Sequence, residues 1–322
     1  MGTVACKVGV AAKRSLAHGG SSMRYAILAQ LPRISRWLLA SGVTVLATCE
    51  GPTVPVPQPL LLAERGPVWS PGGDSIAYVE TDSDGNESIV VVPLDTGDRT
   101  SFDVGRGAGA LDFAPRSAKV AFSQGFRLYE LDLSTGTVTP FGPDALSVWP
   151  AYSPDEAQIA FTSDGGENQH PPDLWVVTRA GAINRVPLPF PRGQMSAADW
   201  PPDGRYLVSA YHADETPRLF VTDLAARDTA FITPIGVSSL LPAWSPDGEW
   251  IAYVRASNGN SGDLHLVRPD GTDDHRIARN STFPAWSPDG RLLAVNRLLG
   301  DRIEAWLMRP DGSEAWPLDR SN

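Results

Sequence analysis

Cysteine is almost absent from this chain: of 322 residues only Cys6 and Cys49 carry a thiol, and both precede residue 50. A disulfide framework and a cysteine-based zinc site are thereby excluded from everything that follows. Helical periodicity is missing beyond residue 60, where apolar residues do not recur at every third or fourth place. Enzyme signatures are missing as well: there is no Gly-x-Ser-x-Gly elbow, no Gly-x-x-x-x-Gly-Lys phosphate loop and no His-Glu-x-x-His zinc helix. Acidic residues are absent from positions 1 to 48, which contain Lys7, Lys13, Arg14, Arg24, Arg33 and Arg36.

That basic opening leads into an apolar core from Trp37 to Ala47 and small residues ahead of Cys49. The pattern predicts an export signal over residues 1–48, with Met23 as the functional start and residues 1–22 as an extra lead. Its apolar core is shorter than the ~20 residues a membrane-spanning helix needs. Leu46-Ala47-Thr48-Cys49 resembles a bacterial lipobox, with Thr48 standing where that pattern prefers Gly, Ala or Ser, so Cys49 is the expected lipidation site. "GPTVPVPQP" from Gly51 to Pro59 then predicts a stiff, extended tether over 49–59. The formal net charge is −10, and removing the six cations of the leader leaves about −16. So acidic a body argues against nucleic acid as a partner.

The rest is repetition. "LPAWSPDGEWIAYV" from Leu241 and "FPAWSPDGRLLAV" from Phe283 are nearly one phrase, and fainter copies begin at Val68, Asp112, Ala151 and Asp199. Their marker prolines are Pro71, Pro115, Pro154, Pro202, Pro246 and Pro288, spaced by 44, 39, 48, 44 and 42 residues. Such a period means a repeat architecture. Within one copy, "PAWS", "WIAYV", "DLHLV" and "HRIA" read as four antiparallel strands, with Asp-Gly turns between first and second and between third and fourth. The second strands, such as Ile251-Ala252-Tyr253-Val254, are apolar throughout rather than alternating, so both faces must be covered. Six small sheets packed face to face in a ring satisfy this: an all-β, six-bladed β-propeller of four-stranded blades over 60–322. Trp69, Phe113, Tyr152, Trp200, Trp244 and Trp286 recur at one place per copy and are expected to pack blade against blade. Either Leu61–Glu64 or Ala315–Leu318 is expected to complete the last blade.

The phrase "PAWSPDG…IAYV…DLHLVRPDGT…RIA" resembles the WD40-like repeats of the TolB family, from about Val68 to Leu318. TolB itself is a soluble periplasmic protein with an α/β domain ahead of its propeller, for which these residues leave no room. The resemblance is therefore to a stand-alone propeller. It implies a partner segment engaged at the mouth of the axial channel.

Two function classes follow: a non-catalytic binding module tethered in the cell envelope, and a propeller enzyme of hydrolase or lactonase type with its groups on blade loops. The binding module is the better supported, as an exported, lipid-anchored monomer with a protein or peptide partner and no cofactor or metal. Loops that lead into first strands and loops that join second to third strands should share one face, where the copies differ most. Candidate partner-binding residues there are His170, Tyr211, His212, Arg255 and Arg297, with Trp149 and Arg192 from neighbouring loops. "DSDGN" from Asp82 starts like a calcium loop but lacks the following glycine and the closing glutamate, so it reads as a connecting loop. His265 should be structural and His275 solvated.

Overall fold

The structure, a computed structural model, describes residues 65–166, 171–191, 193–212, 216–256, 262–300 and 302–318. The leader, Cys49, the proline-rich stretch and Leu61–Glu64 lie outside the described residues, as do His170 and Arg192.

Twenty-four strands form six sheets of four, each antiparallel and in chain order. Blade 1 is Arg65–Trp69, Ser75–Thr81, Glu87–Pro93 and Thr100–Gly105 (β1–β4); blade 2 is Ala108–Phe113, Lys119–Gln124, Arg127–Asp132 and Thr137–Phe141 (β5–β8). Blade 3 is Ser147–Tyr152, Gln158–Ser163, Asp173–Thr178 and Ile183–Arg185 (β9–β12); blade 4 is Gln194–Asp199, Tyr206–His212, Arg218–Asp223 and Thr229–Phe231 (β13–β16). Blade 5 is Ser239–Trp244, Ile251–Ala256, Gly262–Val267 and His275–Ala278 (β17–β20); blade 6 is Ser281–Trp286, Leu293–Leu299, Arg302–Met308 and Ala315–Pro317 (β21–β24). Each innermost strand packs against those of the two adjacent blades, and β1 meets β21 to close the ring. The outer strand of the last blade is Ala315–Pro317, paired with Trp306–Met308.

The repeated phrase is a turn that carries its own hydrogen bonds. In blade 5 the Ser245 hydroxyl donates to Asp247 Oδ1 and accepts from Trp250 N at 2.9 Å, while Glu249 N donates to Asp247 Oδ1 at 2.9 Å. Gly248 closes it at φ 74°, and a Cβ there would meet the Pro202 ring of blade 4 at 3.6 Å. In the same way Pro154, Pro246 and Pro288 pack on Gly204, Gly290 and Gly73 of the following copies. Blades 2 and 3 depart from the phrase in a complementary way. Glu156 takes the glycine position at φ 61°, and its carboxylate accepts Arg116 N (3.0 Å) and Ser117 Oγ (2.7 Å) of the blade-2 turn.

Second strands are buried on both faces, as their composition requires. Ala77 and Val79 pack with Phe113 and Val120 of blade 2, while Ile76 and Tyr78 pack with Ala294 and Leu307 of blade 6. Each such fully buried large side chain contributes roughly 1.5–3 kcal/mol. The recurrent aromatics bridge blades: Trp69, Trp200 and Trp286 donate Nε1–H to Ala285, Ala151 and Ala243 carbonyls of the preceding blade at 3.0–3.1 Å. Trp244 is equally buried, yet its Nε1 meets no acceptor.

Of the seven Asp-Gly pairs, Asp203, Asp247, Asp270, Asp289 and Asp311 lie in first-to-second or third-to-fourth turns. Asp84 and Asp164 lie instead in second-to-third loops at the opposite end. There Asp82 Oδ1 accepts Asp84 N and Asn86 N, so the "DSDGN" stretch closes its own turn.

Candidate functional site: the channel and its loop face

Antiparallel order puts the second-to-third loops and the inter-blade connections at one end of every blade, and hydrogen bonds link them. Ser147 N donates to Phe126 O, Asp164 N to Leu146 O and Ser239 N to Pro217 O. We call this end the loop face and the other the turn face. On the loop face, Phe126 and Ile235 are 65% and 80% exposed, the largest exposures of any big apolar side chain among the described residues.

The innermost strands share one irregularity. In every blade the pairing of first with second strand shifts register. The residue five places ahead of each marker proline takes a positive φ: Gly66 (63°), Ala110 (35°), Trp149 (60°), Ala197 (33°), Leu241 (52°) and Phe283 (52°). A β-bulge explains the geometry, but a bulky residue in this region is strained by ~1–3 kcal/mol. All six line an axial cavity of about 520 Å³, whose far end is ringed by the marker prolines.

Trp149 and Phe283 belong to blades 3 and 6, which stand opposite each other in a ring of six. Their rings stack with centroids 6.0 Å apart and planes at 21°. The pair therefore bars the axis between the loop face and the cavity.

Two carboxyl groups line that cavity, Asp112 and Asp199, where the other copies carry Val68, Ala151, Ala243 and Ala285. Each accepts a backbone N–H from the next blade: Tyr152 N to Asp112 Oδ2 and Trp244 N to Asp199 Oδ2, both at 2.6 Å. Burial pushes the Asp199 carboxyl up to about 7, against the pull of the Trp244 and Trp200 N–H groups. Burial also raises Asp112 well above the usual carboxylate range, and the Asp199 charge adds to it.

The other sequence-predicted residues are spread over blades 4 to 6. Tyr211 is buried against Phe190 and donates its hydroxyl to Pro191 O at 3.0 Å. The chain passes so close that a Cβ on Gly193 would sit 2.4 Å from the tyrosine ring, so only glycine fits. His212 shares a 3.1 Å hydrogen bond with Ser196 Oγ, and burial lowers its proton affinity. Arg255 turns outward along its blade to Asp274 Oδ2 (3.9 Å), a carboxylate that also binds Tyr253 and His265. Arg297 lies over the Trp306 ring at 4.6 Å, with its Nε buried and lacking a hydrogen-bond partner. His265 is buried in β19, and His275 is exposed.

Sequence reasoning missed Phe283, Leu241, Asp112, Asp199, Phe126 and Ile235. For the first two a signal existed, the constant five-residue offset from the marker proline. For the aspartates it was a charge where other copies have small apolar residues.

A closed ring of six four-stranded blades around an axial cavity defines a six-bladed β-propeller. The chain matches the model of the TolB β-propeller domain over residues 60–288, and it belongs to that family. The Tol-Pal system protein TolB of Nitratidesulfovibrio vulgaris is 29% identical over 112 residues, 35% of this chain and 24% of that protein. The chain thus spans about a quarter of that relative's length. Among solved structures, TolB from Acinetobacter baumannii superposes with a TM-score of 0.65 at 20% identity, over 75% of this chain and 62% of that one. Oligogalacturonate lyase from Vibrio parahaemolyticus does so with 0.56 at 13% identity, over 80% and 78%. At these identities the likeness is one of fold, and it includes an enzyme.

Proposed function

We propose that this propeller is a non-catalytic binding module of the cell envelope that grips a protein or peptide segment on its loop face, at the channel mouth. The observation that carries the reading is the exposure of Phe126 and Ile235 on that face, above a channel barred by strained aromatics. Strain of this kind clusters at functional sites, and exposed apolar side chains on loops of a rigid scaffold suit a protein partner. Family membership supports an envelope setting. The basic leader supports export, with Cys49 as the lipid-bearing N-terminus and the proline-rich segment as tether. An acidic body supports a partner other than nucleic acid.

The test is capture from envelope extract by the parent and by a Phe126→Asp, Ile235→Asp variant. Retained capture by a variant that melts like the parent refutes a loop-face site. Mass spectrometry of membrane-extracted protein tests the anchor: an acylated Cys49 is expected, and an intact leader contradicts it.

A second reading, a hydrolase or lactonase, is favoured by one observation: the Asp112 and Asp199 carboxyls both line the cavity, each with raised proton affinity. Turnover of sugar or lactone substrates that Asp112→Asn and Asp199→Asn abolish would replace the binding reading.

A further inference from the structure

The axial cavity is distinct from the loop face. The Trp149–Phe283 stack separates the two, and the cavity reaches instead to the proline turns of the turn face. Its volume of about 520 Å³ falls within the range of small-molecule sites. Among the described residues its lining contains the six recurrent aromatics, the barring pair and the prolines, and no Lys, Arg or His. Ser70, Ser245 and Ser287 also line it, but their hydroxyls are committed to Asp74, Asp247 and Asp289. The remaining titratable group is Tyr152, whose hydroxyl donates to Glu130 at 2.9 Å.

Asp112 and Asp199 are therefore two cavity-lining carboxyl groups with no basic side chain beside them among the described residues. Backbone N–H groups offset only part of the burial cost of these carboxyls, so a cation beside them is what lets both ionise at neutral pH. A hard metal ion seeks six or more oxygen ligands, whereas this lining consists mainly of aromatic, proline and alanine side chains, and aromatic rings attract organic ammonium groups.

We propose that the axial cavity is a binding site for an ammonium group, entered from the turn face, with Asp112 and Asp199 as its counter-charges and the aromatic lining as its walls. The site goes beyond the loop-face reading and does not rest on it. Because both carboxyls bind protons tightly when the cavity is empty, an incoming ammonium expels protons. Affinity therefore rises with pH.

Isothermal titration calorimetry of the purified full chain tests this with four probes: choline, its uncharged tert-butyl isostere, N-acetyl-lysine methylamide and calcium chloride. Choline or the lysine amide should bind more tightly near pH 8 than near pH 5, by up to ~10-fold for each pH unit below the carboxyl's titration at about 7. Whichever of the two binds more tightly assigns the source, a free small ammonium or a lysine side chain. Asp112→Asn and Asp199→Asn, singly and together, should weaken that binding ~10-fold or more while leaving the isostere unchanged. Equal binding of choline and the isostere overturns the proposal, as does calcium binding without ammonium binding, or no binding at all. The charged-against-uncharged comparison uses the parent alone, so a variant that fails to fold does not shelter the idea.

Discussion

The two faces of this propeller are built by opposite rules. On the turn face one short phrase recurs from blade to blade: blades 1, 3, 5 and 6 close it with a serine–aspartate hydrogen bond, and Pro154, Pro202, Pro246 and Pro288 pack on the glycine of the next copy. On the loop face no phrase recurs, and the exposed side chains differ from blade to blade: Phe126 in blade 2, Ile235 after blade 4, Leu299 in blade 6. Repetition marks what every blade needs in order to pack. Variation marks where the chain is free to specialise.

That contrast is sharpest at the buried aromatics beside the turns. Trp244→Ala should destabilise by ~3–5 kcal/mol, the range for deleting a large buried ring, measured by denaturant unfolding. Since Trp244 Nε1 has no acceptor, the loss is packing alone. A variant that melts like the parent yet loses its partner would make these rings a site instead of a scaffold.

The cavity carboxyls sit between the two regimes. Asp199 holds its proton up to about pH 7 when folded, against ~3.9 unfolded. The native state binds more protons within that window, so the group's contribution falls as pH rises through it. Asp199→Asn should therefore stabilise relative to the parent near pH 8, by on the order of 1–3 kcal/mol, with the gap shrinking toward pH 4. A gap independent of pH contradicts the assignment.

A turn without its cap should lose less. Asp247→Ala removes the acceptor for Ser245 and Glu249 and should cost about 1 kcal/mol, read as a lowered melting temperature. The smallest stability effect belongs to the loop face, where Phe126→Asp with Ile235→Asp should stay within about 0.5 kcal/mol per site.

Much of the ring was legible because its determinants are local and periodic. Proline, serine and Asp-Gly close turns within five residues, and doubly covered strands such as Ile251–Val254 show it in composition. What the sequence hid depends on distant partners. The bulge position carries Gly, Ala, Trp, Ala, Leu and Phe in turn, so no letter repeats, and only the offset betrays it. Arg255 and Arg297 sit near loop ends, but Asp274, just ahead of the strand His275–Ala278, and Trp306 on the neighbouring strand decide where their guanidinium groups point. The outer edge of blade 6 was open between two segments until pairing with Trp306–Met308 assigned Ala315–Pro317 to it.

The division between faces has one direct test, site-specific photocrosslinking in intact cells. Photoreactive residues placed at Phe126 and Ile235 on the loop face should yield discrete protein adducts, and those placed at the exposed Arg291 and Asp311 on the turn face should yield none. Adducts from Arg291 or Asp311, with none from Phe126 or Ile235, would contradict the account.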